Sequence, residues 1–141
     1  MFSTQRMIIG LALLVTCAGC ASVADTTRTG TIREVRFEER MTPANLRVQP
    51  GDEIRWINQR SMPVTVEFLE GALNDVSCEV GFSQRGLSNL RGRRQESVTI
   101  QPNESASLCF PTERTLNYNA RMESAIAGGQ TIETGSIRVG Q

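Results

Sequence analysis

Residues 42–68 read TPANLRVQPGDEIRWINQRSMPVTVEF, and the spacing of apolar side chains in this stretch decides what the chain can build. Leu46 and Val48, Ile54 and Trp56, then Val64, Val66 and Phe68 recur at every second position with polar residues between them. A β-strand sends successive side chains to opposite faces, so this alternation describes strands with one buried and one wet face. Pro50-Gly51-Asp52 fixes one backbone angle and frees the next, which favours a reversal between the first two strands. The turn at Ser61-Met62-Pro63 separates the second strand from the third.

The same period extends outward in both directions. Val35 and Phe37 precede it; Val98 and Ile100, Leu108 and Phe110, the set Leu116, Tyr118, Ala120 and Met122, and finally Ile137 and Val139 follow it. Eight strands are therefore expected, with reversals at Pro102-Asn103 and Gly128-Gly129. No stretch carries a sustained helical stripe. An all-β, two-sheet antiparallel Greek-key sandwich is the natural way to bury these faces. The connection from Leu69 to Arg94 is Gly-punctuated and weakly periodic, and reads as an elaborated loop inserted in the sandwich.

Ahead of the strands, Arg6 is followed by the apolar run MIIGLALLV from Met7 to Val15, which has the length of a signal-peptide core and is too short to span a bilayer. It runs into TCAGCAS at 16–22, which resembles the bacterial lipobox, so Cys20 is expected to be acylated, palmitate included, and to become the new N-terminus. The competing reading is an ordinary cleaved leader that releases the protein. On this basis residues 1–19 are a lipoprotein signal peptide, 20–30 an acylated terminus with a polar tether, and 31–141 one domain. A lipid anchor implies the bacterial envelope, and Ser22 after the cysteine suits an outer membrane, with the domain facing the periplasm.

Fifteen basic residues, all of them arginine, balance fifteen Asp and Glu, so no net field favours nucleic acid. Histidine is absent altogether. That removes Ser-His-Asp and Cys-His catalysis and most general-base chemistry near neutral pH. Glu38-Glu39 and Asp52-Glu53 are sequence neighbours at strand ends, where adjacent side chains diverge, and read as solvated charges. The chain is not expected to be an enzyme.

The run LRVQPGDEIRWIN at 46–58, followed by a Met-Pro turn and a further alternating strand, is similar to the N-terminal half of the cupredoxins. The strands SASLCF at 105–110, TLNYNARM at 115–122 and GSIRV at 135–139 resemble the rest of that family. The resemblance implies a cupredoxin-type sandwich. It also marks what is missing: Val64 stands at the family's first copper-binding His, and the loop SAIAGGQTIET at 124–134 contains no Cys, His or Met. A type 1 centre needs two imidazoles and a thiolate, so no copper ligand, and no cofactor, is assigned.

Cys78 and Cys109 are the two thiols of the exported domain and are expected to form a disulfide that staples the insertion to a strand, worth about 3 to 4 kcal/mol by loop closure. Met41, Met62 and Met122 could in principle gather as a soft Cu(I) site, but read as packing. Trp56, Phe37 and Tyr118 fall on the buried phase of their strands. Within the insertion, Phe82 with Arg85, Arg91, Arg93 and Arg94 offers an apolar centre with a cationic rim, the composition of a docking patch. The function expected is a copper-free interaction module held at the membrane by its lipid and meeting an envelope protein. The alternative is a copper-handling or electron-transfer accessory with a Cys/Met site.

Overall fold

The computed structural model describes residues 28–69, 71–82 and 96–141. Ten strands form in chain order: β1 (Ile32–Phe37), β2 (Met41–Thr42), β3 (Asn45–Val48), β4 (Glu53–Asn58), β5 (Val64–Phe68), β6 (Cys78–Val80), β7 (Ser97–Ile100), β8 (Ser105–Cys109), β9 (Arg114–Glu123) and β10 (Gln130–Val139). One 3-10 turn, Ala72–Asp75, lies between β5 and β6. The strands make two five-stranded sheets, ordered β2-β1-β4-β8-β6 and β3-β10-β9-β5-β7, called sheets A and B below.

Every alternating pair of the sequence lies on a strand or, at Phe110, directly after one. β2 and β6 are additional, because two or three residues are too few to display a period. Both sheets are mixed rather than purely antiparallel: β1 runs parallel to β4, and β3 parallel to β10. Alternation specifies which face of a strand is buried and says nothing of its neighbour's direction.

The inward side chains of the two sheets meet in one core. Val35 and Phe37 of β1, Ile54 and Trp56 of β4, and Ala106 and Leu108 of β8 face Val64, Val66, Leu116, Tyr118, Ala120, Met122 and Ile137 of sheet B. At its centre the Trp56 ring meets Phe68, Phe82 and Tyr118 edge-on, with centroids 5.6, 5.6 and 5.8 Å away. Edge-to-face packing sets positive ring edges against negative faces. Gly135 permits this cluster, since a Cβ there would lie 2.3 Å from the Tyr118 ring, its register partner on β9.

The sandwich has two ends. At the N-terminal end the chain enters beside the Pro50-Gly51 turn, where the Thr29 amide donates to the Gly51 carbonyl at 3.0 Å and the Gly140 amide to the Val48 carbonyl at 2.9 Å. Gly51 has φ 88°, a conformation that L residues with a side chain rarely adopt. Asp52 is 3 % exposed and accepts bonds from Thr29 Oγ1 and the Gln49 amide, with Arg33 at 3.8 Å. It is therefore a buried turn clamp, not the solvated charge expected of it. The far end carries the 59–63 and 101–104 loops and the β9–β10 hairpin turn at 124–129.

Candidate functional site

The far end is where the cupredoxin resemblance would put a copper site, and the residues there build something else. Val64 begins β5 fully buried, opposite Met122 of β9 and Ile100 of β7. Asn58, the last residue of β4, is equally buried and binds on every side. Its Nδ2 donates to the carbonyls of Met62 at 2.9 Å and Ile100 at 3.0 Å, and its Oδ1 accepts from the Arg60 amide at 2.9 Å. A buried amide so fully paired fixes the 59–63 turn against both sheets.

That turn aims Arg60 across the opening between the sheets. Nη1 donates to the Glu38 carbonyl, just past β1, at 2.9 Å, and Nη2 to the Glu123 carbonyl, the end of β9, at 2.7 Å. Nη1 also lies 3.8 Å from the Met122 sulfur. One guanidinium thus ties sheet A to sheet B, using the planar fork that only arginine offers. Its permanent charge beside the thioether makes this a poor place for a metal cation. Met41 lies buried in β2, where its amide donates to Glu133 Oε2 at 2.8 Å, and Met62 is half-buried in the turn. The signal for Asn58 and Arg60 is slight in the sequence: both stand in an ordinary polar turn next to a strand end.

Cys78 and Cys109 are bonded, as register partners of β6 and β8 with Cα atoms 4.8 Å apart. The bridge lies on the outer face of sheet A and pins its edge strand. Phe82 is 5 % exposed and packs against Trp56 and Phe68, so it belongs to the core and supplies no exposed docking centre. Its lack of a strand phase concealed this, because the chain turns inward after β6 at Gly81 instead of continuing as a strand. Arg85, Arg91, Arg93, Arg94 and Cys20 lie outside the described residues.

Most described arginines are held in pairs on the surface. Arg36 meets Glu34, Arg55 meets Glu53 and Arg121 meets Glu67, at 2.6, 2.8 and 2.9 Å. Arg28, Arg40 and Arg114 reach Glu53, Glu133 and Asp75 in turn. The hydrogen bond from Arg55 holds the Glu53 carboxyl below its usual range, opposed by partial burial and assisted by the charges of Arg55 and Arg28 and by Ser107. Exposed apolar residues are few; the far end carries Ile126, 78 % exposed in the hairpin turn, and Ile132, 54 % exposed on β10. No group of three or more Cys, Asp or Glu side chains that could hold a metal ion occurs among the described residues.

No family model matches the chain, and no curated protein matches it. Solved structures of amicyanin are similar to it. A Cu(I) form of a methionine variant aligns at 22 % identity with a TM-score of 0.48, and the reduced state of a proline variant at 22 % with 0.49. Each alignment covers 85 % of this chain and 88 % of the other. At these values the likeness is one of chain course, and it transfers no ligand, partner or activity.

Proposed function

We propose that this protein is a copper-free, non-catalytic interaction module, held by a lipid on Cys20 in the bacterial outer membrane, facing the periplasm and presenting the far end of its sandwich to an envelope protein. The observation that carries this reading is the Arg60 brace. Where a metal-binding relative of this fold would place ligands, this chain places a fully buried Val64 and a guanidinium bonded to the carbonyls of Glu38 and Glu123. Three of the soft donors are engaged as well. Cys78 and Cys109 are tied to each other, and the Met122 sulfur faces Arg60. What the far end does offer is apolar surface at Ile126 and Ile132, which suits docking better than chemistry.

Protein purified from its native envelope and analysed for metals should contain no stoichiometric copper, and titration with Cu(I) should show no saturating site. Partner capture from the same membranes should fall when Ile126 is changed to Asp, while the unfolding midpoint stays put. One tightly held copper per chain would overturn the reading in favour of a copper-handling accessory, and capture unaffected by Ile126→Asp would move the docking surface elsewhere.

A further inference from the structure

Arg47 of β3 and Arg138 of β10 break the pattern of paired arginines. They are register partners in the parallel β3–β10 pair, and both are exposed on the outer face of sheet B. Among the described residues every other arginine holds a carboxylate or a carbonyl, yet neither of these two has a carboxylate within ion-pair distance. Like charges directly opposite on neighbouring strands repel, and among the described residues no ion pair relieves this one. Their surroundings are polar, and a nearby carboxylate, Glu113, packs over Gly140, two residues on from Arg138. Asn45 and Ser136, two residues back on each strand, are bonded to each other at 2.8 Å, and Thr115 is the partner of Arg138 on β9. Two adjacent guanidinium forks beside the Asn45, Ser136 and Thr115 side chains, neither fork held by an ion pair, are suited to a phosphate ester.

Position narrows the source of that phosphate. Val48 and Val139, the residues next to Arg47 and Arg138, close the N-terminal end of the sandwich, where the Gly140 amide binds the Val48 carbonyl. The Thr29 amide binds the Gly51 carbonyl at that same end, so the chain outside the described domain joins it within a few residues of the arginine pair. If Cys20 sits in the bilayer, the seven residues 21–27 reach at most ~25 Å even fully extended. The pair is thereby within reach of the headgroup layer, at the opposite end of the sheets from Ile126. We infer that Arg47 and Arg138 bind the phosphate groups of anionic lipid headgroups and set the orientation of the domain on its membrane, an inference that rests on the lipid-anchor reading above.

The test uses the acylated protein in vesicles of phosphatidylcholine alone and of phosphatidylcholine mixed with phosphatidylglycerol, with arginine modification by phenylglyoxal mapped by mass spectrometry. Arg47 and Arg138 should be protected only in the anionic vesicles and lose that protection in high salt. Arg121, paired with Glu67 towards the other end of the same face, should react equally in both. Equal reactivity of the arginine pair in the two vesicles overturns the proposal. Protection by inorganic phosphate in solution, with none added by anionic vesicles, also overturns it and gives the pair to a soluble phosphate. The anchor is read separately from intact mass. Should the chain carry no acyl group, the same chain is sedimented with the anionic vesicles: the double change Arg47→Ser and Arg138→Ser must then weaken binding by about 30-fold, two cations near an anionic surface, and no loss, or no binding by the parent, overturns the headgroup contact.

Discussion

Tyr118 is the only tyrosine of the chain, and its environment gives it a measurable signature. The ring fills the space over Gly135 and the phenol is fully buried, which pushes its pKa up from 10.0 to about 12, with the neighbouring Trp56 indole acting weakly in the opposite sense. The folded state therefore holds this proton more tightly than the unfolded chain. Its contribution is fully present below pH 10 and is lost as the pH rises from 10 towards about 12. Lysine is absent and the described thiols are bonded, so no other side chain competes in that window among the described residues. Denaturant midpoints should fall across it in parallel with the appearance of tyrosinate absorbance, and Tyr118→Phe should abolish the slope. A slope that survives in the variant would locate the alkaline transition elsewhere. The burial of Tyr118 was legible in the sequence because the residue sits in phase with Leu116, Ala120 and Met122. The burial of Asp52 was not, since a carboxylate in a Pro-Gly turn looks the same whether it points to water or back at the Gln49 amide.

At the scale of elements, long strands announce themselves and short ones do not. β9 and β10 carry ten residues each and display several periods, whereas β6 has three, of which Glu79 and Val80 are exposed. What holds β6 on the edge of sheet A is its register with β8 and the Cys78–Cys109 bridge within it. The bridge closes a loop with a sequence separation of 31, which the chain-entropy account values at about 4 kcal/mol. Reduction, or Cys78→Ser with Cys109→Ser, should lower unfolding stability by roughly that amount, and the first new proteolytic cuts should fall near β6. An unchanged midpoint on reduction would show that β6 is held by its neighbours alone. Phe82 supports the same element from within, through its contact with Trp56, and the sequence concealed this because an aromatic after a glycine has no strand phase to betray it.

For the molecule as a whole, Arg60 is the residue that closes the sandwich between its two sheets. Arg60→Gln keeps a polar side chain too short to reach both partners, leaving the Glu38 and Glu123 carbonyls without their donor, and should cost about 2 kcal/mol. Equilibrium unfolding in urea checks this, and an unaltered midpoint would reduce the brace to a surface contact. Much of this architecture was written in the chain itself. Period-two alternation determined the strands, their buried faces and hence a two-sheet sandwich, and the absence of histidine excluded a type 1 copper centre, because both depend only on residue type and order. Three things waited for tertiary structure: the parallel partners β1–β4 and β3–β10, the reach of Arg60 from one sheet to the other, and the meeting of Arg47 with Arg138. Each joins residues distant in sequence, the last pair 91 positions apart by difference of their numbers. Local periodicity carries no information on which strand becomes whose neighbour; only the closing of the core around Trp56 and Tyr118 decides it.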